Sequence, residues 1–158
     1  MLDWSENALV GLYFATVSMR GLPNRTDGCV WVLDPLGLNT ESPIPALTNA
    51  IPTLGVGNSL DEYLPDAVAQ KLPGLSPVAV FVMRMFPRLV AQSGVFTLIH
   101  KETTPLESVK DSAYVGRILV PRGAKQGIAT ALKDMGVTRL SLFPELDSVA
   151  ELARGFLP

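Results

Sequence analysis

His100 is the only histidine and Cys29 the only cysteine in the 158-residue chain. Together they offer no Cys/His cluster with ligand spacing, so a structural zinc site is out of reach, and Cys29 has no partner for an internal disulfide. His100 follows an apolar run and precedes Lys101-Glu102, which reads as a strand end making an ordinary hydrogen bond; the functional alternative is a general base. Cys29, between Gly28 and Val30, reads as a small buried hydrophobe, with a reactive thiol as the alternative. Gly55-Val56-Gly57 begins as a dinucleotide fingerprint would, but it lacks the third glycine, follows a proline-containing loop and opens no helix. A turn is the plainer reading. There is no Walker loop and no nucleophile elbow.

Two strings carry polar residues out of character with their surroundings. Leu2-Asp3-Trp4-Ser5-Glu6-Asn7 sets a tryptophan among polar groups directly ahead of an apolar helix, and in the run from Phe86 to Thr97 the pair Gln92 and Gly94 introduces a strand, with Arg84 and Arg88 just before. Read alone, the first is a capped helix and the second a turn with a bulge glycine.

The elements that must position these residues follow from periodicity and breakers. Leu9, Leu12, Tyr13 and Thr16 recur at helical spacing, with Asp3 and Glu6 placed as N-cap and N3 of a capping box. After the turn-rich stretch Arg20 to Gly28, Cys29 to Leu33 reads as a buried strand stopped by Asp34-Pro35. Gly37 to Gly57 holds Pro43, Pro45 and Pro52 and is expected to be a long surface loop with at most one short helical turn; Ser59 to Leu72 has room for one or two turns interrupted by Pro65. Pro77 to Met85 reads as an apolar strand buried on both faces, and Gly94 to Ile99 as the next, after a short Pro87-Arg88-Leu89-Val90 turn. Beyond Thr103-Thr104-Pro105, Tyr114 to Val120 is a strand, Ala124 to Met135 a helix closed by Gly136, and Leu142 to Leu152 a last helix with Pro144 in its first turn. Helices and strands mix without strict βαβ alternation, so the expected class is α+β, a mixed sheet with flanking helices in one domain over residues 1–158.

Composition narrows the partners. The chain is 47% hydrophobic and 18% charged, with thirteen Lys+Arg against fifteen Asp+Glu. Disorder is excluded as the main state, and no basic surplus exists to neutralise phosphates, so nucleic acid is not an expected partner. No run reaches the roughly 20 apolar residues of a membrane span, and the opening Met1-Leu2-Asp3-Trp4-Ser5-Glu6 lacks the basic-then-apolar pattern of an export signal. The expectation is a soluble cytoplasmic protein with no membrane partner.

Taken together, the two polar strings resemble the FRG domain family. Leu2 to Ala15 looks like that family's "LLDWT-NPL-AL-FA" segment, and Gly28 to Pro35 with Leu38-Asn39 looks like its following strand. Arg88 to Phe96 resembles its "R-AQ-G-F" segment, and Ile118-Leu119-Val120-Pro121, Lys125 and Leu142 to Asp147 resemble its tail. The aromatic-Arg-Gly motif that names the family precedes the LDW segment, and this chain starts at that segment. Arg20-Gly21 does not replace it, because Met19 is not aromatic and the pair falls after the helix.

The family's layout is similar to that of ADP-ribosyltransferase-like folds. That likeness implies a cleft lined by Asp3, Trp4, Gln92 and Phe96, with Trp4 and Phe96 as stacking surfaces and Gln92 as donor and acceptor for a ribose. Arg88 and His100 complete the set of candidate cleft residues. Gln92 has no titrating group and is no general base. Two readings of function result. One is a non-catalytic or degenerate FRG-like domain, without cofactor, that binds a partner protein, as small inhibitors in phage–bacterium conflict do, or that self-associates into a homo-oligomer. The other is an NAD- or nucleotide-binding ADP-ribosyltransferase-like enzyme. Loss of the arginine motif disfavours NAD turnover, and an uncovered apolar surface or sheet edge favours association.

Overall fold

A computed structural model of the chain describes residues 1–17, 26–40, 42, 44, 47, 49–57, 60–66, 75–100, 105–108 and 113–145. Among these, strands β1 (Leu2–Ser5), β4 (Gly94–Leu98) and β3 (Val78–Val80) form a three-stranded sheet in that order, and β2 (Gly28–Leu33) pairs with β5 (Val115–Val120) in a two-stranded ribbon. The α-helices given bounds among the described residues are α1 (Ala8–Thr16), α2 (Pro35–Thr40), α3 (Pro87–Ala91), α4 (Lys125–Asp134) and α5 (Arg139–Leu142). The fold is α+β, and no helix among the described residues is long and apolar enough to cross a membrane. The chain divides into two compact units: Met1–Trp4, Val32–Met83 and Val95–Gly116 form the first, and Ser5–Trp31, Arg84–Gly94 and Arg117–Pro158 the second.

The opening differs from expectation. Asp3 and Glu6 do not cap a helix; residues Leu2–Ser5 are a strand, and the cap is Asn7, whose side-chain oxygen accepts from the Leu9 N–H at 2.9 Å. An extended segment that joins the β4 edge leaves the short Asn side chain, four residues later than Asp3, to satisfy the orphan amides.

In the first unit, β3 and β4 are antiparallel, with Val78 opposite Leu98, Ala79 opposite Thr97 and Val80 opposite Phe96. Alternation then sends side chains to two cores. Ala79 joins Leu38, Leu106 and Tyr114, with Trp4, Leu33 and Val115 packed against them, while Val78 and Val80 join Leu47 and Leu60, with Tyr63, Phe96 and Leu98 alongside.

The strand expected over Pro77 to Met85 is regular for only three residues, and its outer edge is closed by a side chain of α2 and by the segment at Pro52 to Leu54. The Ala79 N–H donates to Asn39 Oδ1 at 2.7 Å, and Asn39 Nδ2 donates to the Ala79 carbonyl at 2.9 Å. The Phe81 N–H then bonds the Pro52 carbonyl, and the Leu54 N–H bonds Phe81. Past Phe81 the chain emerges, and Met83, Met85 and Phe86 are exposed.

The expected surface loop over Gly37 to Gly57 is also corrected: Leu38, Asn39, Ser42 and Leu47 are buried. Asp34-Pro35 stops β2 as expected and also starts α2, since Asp34 Oδ1 accepts from the Leu36 and Gly37 N–H groups, each at 3.1 Å, with Pro35 in the first turn. Gly55 and Gly57 take φ of +81° and +68° with open space around them, a turn. Between Ser59 and Leu72 the described residues hold a 3-10 turn at Asp61–Tyr63 and helical backbone at Pro65 and Asp66; residues 59 and 67–72 lie outside the described residues.

In the second unit, α1 is apolar on every side, and Val10 and Tyr13 pack with Leu132 and Leu142, flanked by Leu9, Leu12, Ile128, Val137 and Phe143. Gly28 allows β2 to pass close to α1: a Cβ there would stand 2.1 Å from the Ala15 carbonyl oxygen and 3.2 Å from Lys125 Cε. As expected, α4 ends with Gly136 at φ +79°, and the Val137 N–H bonds the Leu132 carbonyl in a Schellman closure. Pro87 to Val90 is a short helix and not just a turn.

The helix expected over Leu142 to Leu152 does not start at Leu142, which closes an earlier helix, and Phe143 to Glu145 are not helical. That earlier helix begins at Arg139, capped by Thr138 and Ser141 in a reciprocal capping box, and stops before Pro144, which disfavours helical backbone at Phe143. Residues 146–152, and the turn-rich stretch at 18–25, lie outside the described residues.

Strand β2 is not the buried strand expected of Cys29 to Leu33, and its partner β5 is open as well. Trp31 is 41% exposed, Ile118 59% and Leu119 66%. Because consecutive strand residues point to opposite faces, the exposure of both Ile118 and Leu119 leaves apolar side chains open on each face of β5.

Candidate functional site

In the second unit, the opening polar string, the run from Arg88 and the Leu142–Phe143 segment meet. The Ser5 hydroxyl donates to the Gln92 carbonyl at 2.7 Å and the Glu6 N–H to the Ser93 carbonyl at 3.1 Å, joining the opening segment to the end of α3. The Gln92 side-chain amide donates to the Leu142 carbonyl at 3.0 Å. That carbonyl ends α5 and has no intrahelical partner, so Gln92 satisfies an orphan acceptor. One turn earlier on α3, the Arg88 guanidinium lies 4.9 Å above the centre of the Phe143 ring, which meets the edge of Phe14 at 6.0 Å. Glu6 and Arg84 form an exposed ion pair, a contact of at most about 1 kcal/mol in water.

Ser93 turns the chain from α3 into β4 at φ +48°, a left-handed position unusual for a residue with a Cβ. The neighbouring Gly94 is buried, and a Cβ there would stand 2.8 Å from Leu89 Cδ2. The glutamine and glycine that stood out in the sequence therefore serve to seat a tight helix-to-strand turn against the Ser5-Glu6 backbone.

This constellation holds surfaces together and offers no proton-transfer chemistry of its own. Ser5 spends its hydroxyl proton on a backbone carbonyl, Gln92 spends an N–H on another, and Arg88 faces a ring. A nucleophile needs a base within hydrogen-bond reach, and neither Ser5 nor Gln92 is bonded to one.

The remaining candidates fall in the first unit. Asp3 is exposed on β1. Trp4 packs on the Leu38 core and Phe96 on the Leu47 core, so the two aromatics sit on opposite faces of the β1-β4-β3 sheet and do not form one stacking pair. Buried Trp4 Nε1 and Thr97 Oγ1 have no hydrogen-bond partner among the described residues. His100 lies just past β4 and is buried, its ring meeting the Tyr63 ring edge-on at 5.8 Å. The ordinary hydrogen bond expected of it is not made: neither ring nitrogen has a partner among the described residues, and the Tyr63 hydroxyl donates to the Ser76 carbonyl. Burial pushes the Tyr63 phenol up to about 12, with a Ser42 hydrogen bond pulling it back and Glu62 adding to the rise. Tyr13, in the second unit, is also raised by burial, against the pull of Arg139.

Two side chains were visible in the sequence only as part of the resemblance. Asn39 is fully buried as the outer partner of β3. Lys125, 1% exposed, opens α4 with its aliphatic stem against Gly28. Tyr63 and Ser42 gave no signal, being single polar residues in a proline-interrupted stretch.

Among the described residues no cluster of three or more His, Cys, Asp or Glu could hold a metal ion. No protein family, curated protein or solved structure matches the chain.

Proposed function

We propose that the chain is a non-catalytic FRG-like domain that acts by binding a partner protein, and that the β2–β5 ribbon is its binding surface. One observation carries the reading: Trp31, Ile118 and Leu119 stand exposed on a ribbon with no third strand among the described residues. A two-stranded ribbon is marginal in water, and exposed apolar edges are places where another chain adds a strand. Tryptophan with branched aliphatic neighbours is also the composition of an interface centre.

The commitment of Ser5, Arg88 and Gln92 to internal contacts supports the same reading over the NAD-binding enzyme, as does the separation of Trp4 and Phe96. The partner class that fits is a protein presenting an extended apolar segment, such as the target of a small inhibitor.

A photocrosslinker placed at Ile118 tests it. The expected result is one discrete adduct, lost when Leu119→Lys is added, while millimolar NAD leaves the melting temperature unmoved. Adducts indifferent to Leu119→Lys, or a clear rise in melting temperature with NAD, would overturn the proposal.

A further inference from the structure

We propose that His100 anchors a buried site in the first unit for a small uncharged guest that both donates and accepts hydrogen bonds. His100 is 8% exposed, and neither Nδ1 nor Nε2 has a partner among the described residues. A neutral imidazole carries one N–H and one lone pair, and burying both unpaired is costly enough that native proteins nearly always supply a partner. The ring shown against it does not do so. Tyr63, whose ring stands at 89° to the imidazole, gives its O–H to the Ser76 carbonyl and is hydrogen-bonded by the buried Ser42.

The character of the guest follows from these neighbours. Tyr63, Ser42 and the Ser76 carbonyl are uncharged, and Tyr63 packs on the apolar cluster of Leu47, Leu60, Val78 and Val80. An anion would meet the Glu62 charge that already acts on the Tyr63 phenol and a cation would meet the donor face of the imidazole, whereas a hydroxyl or amide group would satisfy both ring nitrogens. Ordered water and a retained alcohol or amide share this chemistry. The site is independent of the β2–β5 ribbon, so each proposal can fail alone.

Because His100 is the only histidine, its ring gives a single pair of nitrogen resonances in protein labelled with nitrogen-15. The expected result is one fixed tautomer with both nitrogens shifted as hydrogen-bonded, and an N–H proton exchanging at least about a hundredfold more slowly than free imidazole, as buried hydrogen-bonded groups do. A cross-peak from that proton to long-lived water identifies water as the guest. An added mass in native mass spectrometry, lost in His100→Leu, identifies an organic one. His100→Gln, which keeps a donor and an acceptor, should unfold at a urea midpoint near the wild type, with His100→Leu clearly lower. An imidazole averaging between tautomers at the free exchange rate would overturn the proposal, as would His100→Leu matching or exceeding the wild-type midpoint.

Discussion

Replacing Asn39 by alanine removes the side chain that stands in for a missing strand. Asn39 is 0% exposed, and its amide makes three bonds: Nδ2 to the Ala50 carbonyl at 2.8 Å, Nδ2 to the Ala79 carbonyl at 2.9 Å, and Oδ1 from the Ala79 N–H at 2.7 Å. Both backbone groups of Ala79 turn away from Thr97, which makes Ala79–Thr97 a non-hydrogen-bonded pair of the ladder, so no strand can take over when Asn39 is lost. Two buried backbone groups orphaned at about 1–3 kcal/mol each, with the half-buried Ala50 carbonyl recovering water, put the loss at about 2–4 kcal/mol. Against a total stability of about 5–15 kcal/mol, that is a substantial fraction. The assay is urea unfolding followed by circular dichroism, read as a fall in midpoint at unchanged slope. Asn39→Asp sharpens it: the carboxylate still accepts from the Ala79 N–H but faces two carbonyls without a donor, so its stability should recover on acidification as the side chain gains a proton. Loss of less than about 1 kcal/mol in Asn39→Ala, an ordinary single hydrogen bond, would refute the strand-substitute role.

Three further outcomes follow from the same geometry. Gly28→Ala forces a Cβ to 2.1 Å from the Ala15 carbonyl oxygen, a backbone atom that cannot step aside, and should cost about 3 kcal/mol or prevent folding of the second unit, read by thermal unfolding. Gln92→Ala leaves the Leu142 carbonyl unpaired and should cost about 1–2 kcal/mol in the urea midpoint, with the Arg88–Phe143 contact weakened in a double-mutant cycle. For Tyr63 the folded phenol is raised from 10.0 to about 12, so the folded state holds its proton after the unfolded chain has lost it. The stability this contributes is intact below pH 10 and declines as pH rises toward 12; absorbance titration should show, beside the raised Tyr13, a tyrosine ionising near 12 that is lost in Tyr63→Phe, whose stability should fall less steeply over that window.

What could be read in advance depended on whether the signal was local. The end of α4 at Gly136 and the stop at Asp34-Pro35 rest on backbone restrictions that hold in any context, and both are found. Asp34-Pro35 also carried an unread helix start, since an aspartate ahead of proline is an N-cap followed by a good first-turn residue. The helix cap failed differently. Asp3 and Glu6 have capping-box spacing, but pairing of Leu2–Ser5 with β4 overrides a preference worth about 1 kcal/mol. The burial of Leu38, Asn39 and Leu47 was hidden because prolines mark where regular structure stops and say nothing about depth. The candidate residue Gln92 and its neighbour Gly94 were singled out by being out of place, and they do sit at a tight turn. That Trp4 and Phe96 face opposite ways depends on which strand lies between neighbours, a relation no spacing along the chain contains.

Light scattering across the micromolar range tests the role of the exposed β2–β5 ribbon most directly. The wild-type chain should show a molar mass rising above that of one copy as concentration increases, because exposed Trp31, Ile118 and Leu119 find each other when no partner is present. The double variant Ile118→Lys, Leu119→Lys should stay at the mass of one copy and melt like the wild type, since both side chains already face water. A wild-type chain that remains a single copy at every concentration, with a melting curve indifferent to concentration, would contradict the central claim.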